Sequence, residues 1–204
     1  MARDSSSKKR VDAKIVIVGS SGAGKTALME RFVYSKFTQV RVQTIGATYV
    51  SKEVFRGKES IHLSIWDTAG TERYRSMMKQ YYRNAKGAII CYDITDKHSW
   101  DALRSWATEI RGNEPDCRLF ICGTKKDIVD EGYAPPGVHS DCVKFYAEGL
   151  QAPSIVSSSK TGENVDALFS MVADELWEEV HQKPLKKDVV SLDKPVRRNC
   201  CYSA

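Results

Sequence analysis

Short apolar runs alternate with stretches whose apolar residues recur every three or four positions, and this alternation organises residues 12–181. Residues 14–18 read as a strand with Ile15 and Ile17 on one face and Val16 and Val18 on the other. Ala27, Leu28, Phe32 and Val33 then mark an amphipathic helix. Residues 49–55 and 61–66 form two strands joined by the turn Arg56-Gly57-Lys58. Further strands at 88–92, 119–122 and 154–156 are short and apolar, as burial on both faces requires. Helices are predicted over 72–84, 99–111, 138–148 and 165–180. In the last, Leu168, Phe169, Val172, Leu176 and Val180 make one stripe that reads as core packing. The pattern predicts an α/β fold, a mostly parallel sheet flanked by helices. No internal repeat is visible. From about residue 182 prolines and charges replace periodicity. The expected organisation is a flexible basic segment 1–11, a globular domain 12–181 and a flexible basic tail 182–204.

One loop carries candidate chemistry. Gly19-Ser20-Ser21-Gly22-Ala23-Gly24-Lys25-Thr26 fits G-x-x-x-x-G-K-[ST] and lies between the first strand and the first helix, where that motif belongs. Glycines let backbone wrap phosphates, and the amides at the helix start, through Ala27, point at the negative charge. Lys25 is placed to reach the β- and γ-phosphates, and the Thr26 hydroxyl to ligate Mg²⁺.

Composition changes this picture at the ends. The chain has 204 residues and a net charge of +5, enough length for one full α/β core. Residues 1–14 carry +3 and residues 183–204 carry +4, so the rest is slightly acidic. Basic charge confined to polar tails suits an acidic membrane surface better than a nucleic-acid groove; solvated tails that bind nothing are the alternative. No apolar run approaches the roughly 20 residues of a membrane-spanning helix. The start lacks the apolar core of a signal peptide. Cys91, Cys117, Cys122 and Cys142 have no metal-ligand spacing, and Cys91 and Cys122 read as buried, reduced thiols of a cytosolic protein. His62, His98, His139 and His181 are scattered and suggest no metal site.

Farther along stand Phe37, Thr44, Asp67-Thr68-Ala69-Gly70, Thr124-Lys125-Lys126-Asp127 and Ser158-Ser159-Lys160. In this order and spacing the chain resembles the Ras-like small GTPases. Thr44-Ile45-Gly46, Ile65-Trp66-Asp67, Glu72-Arg73-Tyr74, Tyr81-Tyr82-Arg83 and Cys200-Cys201 make it similar to the Rab branch. The resemblance covers about residues 12–180 plus the end, and implies a three-layer P-loop fold on a six-stranded sheet. It implies GTP and GDP as ligands, with Mg²⁺ held by Thr26, Thr44 and Asp67. Gly19, Ser21, Gly22, Ala23, Gly24, Lys25, Thr26 and Ala27 would surround the phosphates; Thr44 and Gly70 would sense the γ-phosphate and govern two switch segments, the first over 37–48 and the second over roughly 70–78. Lys25, Thr44, Gly70 and position 71 would form the hydrolytic set. Phe37, Thr124, Lys125, Asp127, Ser158, Ser159 and Lys160 would hold the base. Asp127 would accept two hydrogen bonds from guanine that adenine does not offer, which disfavours an ATPase or a nucleotide kinase.

Two departures stand out. Thr71 replaces the glutamine that orients the attacking water in the family. Its shorter, branched side chain predicts slower hydrolysis, although Rab-type activating proteins resemble suppliers of an arginine and a glutamine in trans. Thr124 replaces the asparagine that touches the guanine edge and ties its loop to the phosphate loop. One hydroxyl in place of an amide predicts a lost hydrogen bond and faster nucleotide exchange. Ser21 stands where many Ras relatives have glycine, which by itself decides little.

The terminal Cys200-Cys201 suits double geranylgeranylation, while Cys201-Tyr202-Ser203-Ala204 also has a C-a-a-X frame without aliphatic residues. Two unmodified thiols are the alternative. Tyr49, Trp66 and Tyr81 match the aromatic triad through which Rabs meet effectors. The implied partners are effectors, an exchange factor, an activating protein, a prenylation escort, a GDP-dissociation inhibitor and, through prenyl groups, a membrane; a monomer is expected, with no nucleic acid. The implied setting is the cytosol and the cytosolic face of endomembranes, autophagic or endosomal. Two readings remain: a slowly cycling trafficking switch, or a mainly GTP-bound module that recruits effectors with negligible hydrolysis.

Overall fold

The computed structural model describes residues 10–39, 43–57, 59–70 and 75–182. Strands β1 (Arg10–Val18), β2 (Ala47–Arg56), β3 (Glu59–Thr68), β4 (Gly87–Asp93), β5 (Arg118–Thr124) and β6 (Ser154–Val156) form one sheet in the order β2-β3-β1-β4-β5-β6. Only the β2–β3 pair is antiparallel; β1–β3, β1–β4, β4–β5 and β5–β6 run parallel. The helices are α1 (Lys25–Tyr34), α2 (Arg75–Tyr82), α3 (Lys97–Asn113), α4 (Lys126–Asp130), α5 (Ser140–Leu150) and α6 (Val165–Gln182).

The period-two alternation of β1 builds both cores. Ile15 and Ile17 pack with Ile61, Leu63 and Ile65 of β3 beneath α1 and α6. Val16 and Val18 face the other way, with Ile90 of β4 and Ile121 of β5 beneath α3 and α5. Helices α1, α3, α5 and α6 each present a buried stripe to a core. Leu103, Trp106, Ala107 and Ile110 of α3 fall at helical spacing and are all buried. The Asp96 carboxylate caps α3 by accepting from the His98 amide at 2.9 Å. Across the other core, Phe32 of α1 stacks on Phe169 of α6 with centroids 3.7 Å apart.

Several expected boundaries move. β1 begins at Arg10, inside the segment expected to be a tail, because β3 extends far enough back for Ser60 and Ile61 to pair with Arg10 and Val11. The expected helix 72–84 is described from Arg75 and stops at Tyr82; Asn84 takes a left-handed φ of 60° and the Ala85 amide bonds to the Tyr82 carbonyl. The one-turn helix α4 went unanticipated, since five residues carry no periodicity. Val180 leaves the expected α6 stripe: it is 49 % exposed near the end of the helix, whereas Leu168, Phe169, Val172 and Leu176 are buried. The basic segment 1–9 and the tail 183–204, with Cys200 and Cys201, lie outside the described residues, as does Thr71. Among the described residues no helix is long and apolar enough to cross a membrane. Cys91 and Cys122 are free, buried and directly opposite each other on β4 and β5.

Candidate functional site

The loops at the carboxyl ends of β1, β3, β5 and β6 open onto one cavity of about 730 Å³. In parallel α/β sheets this edge is where ligands bind, because the helix N-termini and the irregular backbone gather there. At one end stand Ser21, Gly22, Gly24, Lys25, Thr26 and Ala27, with Thr44 and Gly70 facing them. At the other stand Thr124, Lys125, Asp127, Ile128, Ser159 and Lys160, with Phe37 also on the wall.

The phosphate loop is held against the sheet at closest approach. A Cβ on Gly19 would lie 2.2 Å from the Cys91 carbonyl oxygen, and the residue has a φ of 138°, so only glycine fits. The Lys25 side chain folds back into its own loop, donating to the Gly19 and Ser20 carbonyls at 2.8 Å each. Burial pulls this ammonium below the usual pKa of a lysine, with Asp67 among the groups that oppose the shift. The ammonium therefore stands partly desolvated at the floor of the cavity, where an anionic ligand gains most from it.

Beside it, three oxygens from three separate elements converge. The Thr26 hydroxyl donates to Asp67 Oδ2 at 2.6 Å and stands 2.9 Å from the Thr44 hydroxyl. A hydroxyl has one proton and that of Thr26 goes to the carboxylate, so Thr44 donates to Thr26. Asp67 is buried at the end of β3, and the adjoining Thr68 hydroxyl donates to the Ile17 carbonyl at 2.8 Å. The Ala69 amide reaches the Gly46 carbonyl at 2.8 Å, linking the segment after β3 to the one before β2. Gly70 is pressed onto the phosphate loop: a Cβ there would meet Lys25 Nζ and the Ser21 amide nitrogen, each at 2.4 Å.

The opposite end is built by turns. Lys125 adopts a left-handed φ of 64° at the start of α4, and its ammonium pairs with Asp93 Oδ2 at 2.6 Å. Burial alone would raise the Asp93 carboxyl, but the bonds from Lys125 and Thr95 outweigh it and hold the pKa below the ordinary value. The Ser158 hydroxyl donates to Asp127 Oδ1, fixing the carboxylate whose face lines the cavity. Lys160 pairs with Glu131 at 2.8 Å, joining the loop after β6 to the end of α4.

Most of the expected site residues are brought to this cavity. Gly19, Ala23, Asp67 and Ser158 do not line it; they stand behind the wall, where Gly19 and Ala23 offer carbonyls, Asp67 a carboxylate and Ser158 a hydroxyl to residues that do. The expected cost of Thr124 needs correcting in part. Its buried hydroxyl lies 3.0 Å from both the Ala23 and the Tyr92 carbonyl, so the tie to the phosphate loop survives the loss of the asparagine. Sequence reasoning missed Thr38, Gln39, Gln43, Ile128 and Tyr133 on the cavity wall. Gln43 and Ile128 adjoin Thr44 and Asp127 and could have been found by that neighbourhood; Tyr133 carries no such signal.

A second feature lies outside the cavity. Tyr49 of β2 and Trp66 of β3 are register partners with ring centroids 5.2 Å apart, and Trp66 stands 5.5 Å from Tyr81 of α2. Lys14 extends the row, its ammonium 5.3 Å above the Trp66 ring. Tyr49 is 51 % exposed, and Trp66 and Tyr81 are half-buried.

Residues 14–178 match the family model of the Ras family. The chain is 40 % identical over 168 residues to a protein of Dictyostelium discoideum named Ras-related protein Rab-24, covering 82 % of each chain. It is 40 % identical over 170 residues to the Ras-like GTP-binding protein RYL2 of Yarrowia lipolytica, covering 81 % of each. To the human Ras-related protein Rab-4B it is 37 % identical over 157 residues, covering 76 % of this chain and 72 % of that one. A phosphate loop on a doubly wound sheet, an oxygen cluster beside it and an aspartate at the far end of one cleft thus have their counterpart in sequence, and the chain belongs to the Ras family as a Rab-like small GTPase.

Proposed function

We propose that the chain is a membrane-trafficking switch that binds GTP and GDP with Mg²⁺ in this cleft and hydrolyses GTP slowly when alone. The observation that carries the reading is the meeting of the Thr26, Thr44 and Asp67 oxygens beside the Lys25 ammonium. Mg²⁺ takes hard oxygen ligands and keeps waters and phosphate oxygens in its shell, so two hydroxyls and one carboxylate fit it. Thr26 and Thr44 would ligate the ion and Asp67 would hold it, through a water; bound there, Mg²⁺ would neutralise charge on the terminal phosphates.

The chain's own groups do the rest. Lys25 exchanges its two carbonyl partners for phosphate oxygens, an exchange favoured by its partial desolvation. The Gly70 amide meets the γ-phosphate, since that glycine already abuts Lys25 and Ser21. Asp127, steadied by Ser158, accepts from guanine's ring N–H and exocyclic amine, while Lys125, Phe37 and the Ser159 amide enclose the base. Loss of the γ-phosphate releases the segments that carry Thr44 and Gly70. Tyr49, Trp66 and Tyr81 form the surface that effectors read in the GTP state. Prenylated Cys200 and Cys201 on the basic tail would anchor the switch to endomembranes of the autophagic or endosomal route. Exchange factors, activating proteins, a prenylation escort and a GDP-dissociation inhibitor are the partners such a cycle uses.

One observation favours the second reading, a mainly GTP-bound recruiting module. With its single proton shared between the Ala23 and Tyr92 carbonyls, Thr124 has none to offer the guanine ring nitrogen that asparagine addresses. Exchange then quickens while Thr71 slows hydrolysis, and both push toward the GTP state. Single-turnover hydrolysis of preloaded GTP by the wild type and Thr71→Gln, with nucleotide release followed in parallel, separates the two. Restoration by glutamine marks Thr71 as a brake on switching off; equal rates remove that role. Failure to bind guanine nucleotide at all would overturn both readings.

A further inference from the structure

We propose that Gln43 is a catalytic residue for GTP hydrolysis, its carboxamide orienting the water that attacks the γ-phosphate. The proposal rests on the reading that GTP lies in the cleft with its γ-phosphate beside Ser21 and Lys25. Gln43 Nε2 donates to the Ser21 hydroxyl at 2.9 Å, a contact between the first switch and the phosphate loop. Gly70 closes on Ser21 from the start of the second switch, leaving no room for a Cβ against the Ser21 amide or the Lys25 ammonium. Gln43 and Gly70 therefore converge on one residue of the phosphate loop, at the end of the cleft where the terminal phosphate goes.

The tether on Gln43 is short. The next residue, Thr44, is held to Thr26 by its hydroxyl, so the carboxamide cannot drift far from this place. A carboxamide carries a donor and an acceptor on one planar group. With Nε2 on Ser21, Oε1 can accept a hydrogen bond from a water between Gln43 and the phosphate. Thr71 follows Gly70 in sequence but has one hydroxyl on a branched carbon, too short for this duty.

In the reaction the water oxygen bonds to the γ-phosphorus as the bond from phosphorus to the β–γ bridging oxygen breaks. The electron pair leaves with GDP, and the water protons end on the released phosphate. Gln43 gains and loses no proton; it acts by orientation, which is most of what a loose phosphoryl-transfer transition state needs from protein. Ser21 is a positioning residue, acting through Gln43.

The test is single-turnover hydrolysis of preloaded GTP by the full chain, comparing wild type, Gln43→Ala and Ser21→Ala, with GTP and GDP dissociation measured on the same preparations. Gln43 is exposed, so its truncation leaves the core untouched. The expected result is hydrolysis slowed about tenfold in Gln43→Ala and by a smaller factor in Ser21→Ala, with dissociation within about twofold of wild type. An unchanged hydrolysis rate in Gln43→Ala, in a wild type that binds and turns over GTP, overturns the proposal and leaves the reading of the cleft intact. Faster dissociation that accounts for the whole effect also overturns it, reducing the Gln43–Ser21 bond to a clasp. Absence of GTP binding by the wild type overturns the cleft reading and the proposal together.

Discussion

Replacing Thr124 by valine removes one buried hydroxyl while conserving shape. The residue is 1 % exposed at the end of β5, and its oxygen lies 3.0 Å from the Ala23 carbonyl in the phosphate loop and 3.0 Å from the Tyr92 carbonyl on β4. One proton serves both, so the wild type gains a single shared hydrogen bond, about 1 kcal/mol net. Valine withdraws it and leaves two carbonyls without that donor, raising the cost to about 1–3 kcal/mol. For a domain of this size each kcal/mol is about 2–4 °C in Tm. The Ala23 carbonyl belongs to the loop that grips the phosphates, so part of the loss falls on the nucleotide. At 1.4 kcal/mol per factor of ten, release of GDP should quicken by roughly fivefold to tenfold. Urea unfolding of the nucleotide-loaded protein and a GDP-release assay read the two effects. If Thr124→Val matched the wild type in both, the hydroxyl would carry no tie to the phosphate loop and the structural argument for it would fail.

Asp127→Asn should lose guanine nucleotide by at least about a hundredfold in affinity, because a carboxylate accepting two hydrogen bonds becomes an amide with only one acceptor; it should gain xanthine nucleotide, whose carbonyl suits the new N–H₂. Competition binding with GDP and xanthosine diphosphate checks both signs. Phe169→Ala removes the ring stacked 3.7 Å from Phe32 and should cost about 3–5 kcal/mol in urea unfolding, without changing base preference. Burial pushes the Cys117 thiol up to about 12. A raised thiol pKa makes the folded state hold its proton while the unfolded chain releases it, so this contribution is intact below about pH 9 and is lost between there and about 12. Cys117→Ala should flatten the decline in stability over that alkaline window, as measured by pH-dependent unfolding.

Much of the fold was legible because its signals are local. A strand buried on both faces must be apolar throughout, and a helix on a sheet must repeat its apolar residues with the period of the helix; both constraints act within a few residues of chain. The phosphate loop is local too, for a tight anion-binding turn needs its glycines, lysine and threonine at adjoining positions. Position 71 declares its missing glutamine on the page, and the paired terminal cysteines declare themselves in the same way. Relations between distant segments obey no such rule. That Thr26 meets Asp67 across 41 positions, that Lys125 pairs with Asp93, and that Thr124 keeps its grip on Ala23 depend on which strands are neighbours and in what register. Threonine in place of asparagine reads as a loss in one dimension; in three, the two carbonyls within its reach show where the remaining hydroxyl goes. Val180 falls on the apolar stripe by helical spacing, yet it is 49 % exposed near the end of α6, because spacing along a helix does not say how far its packing partners extend. The neighbourhood of Thr44 points to Gln43 as a wall residue, but its bond to Ser21, 22 positions away, depends on how the segment before β2 lies against the phosphate loop. Periodicity and motif are set by bonds along the chain, whereas partners across a cleft are set by the order and twist of a sheet that exists only once the whole domain has closed.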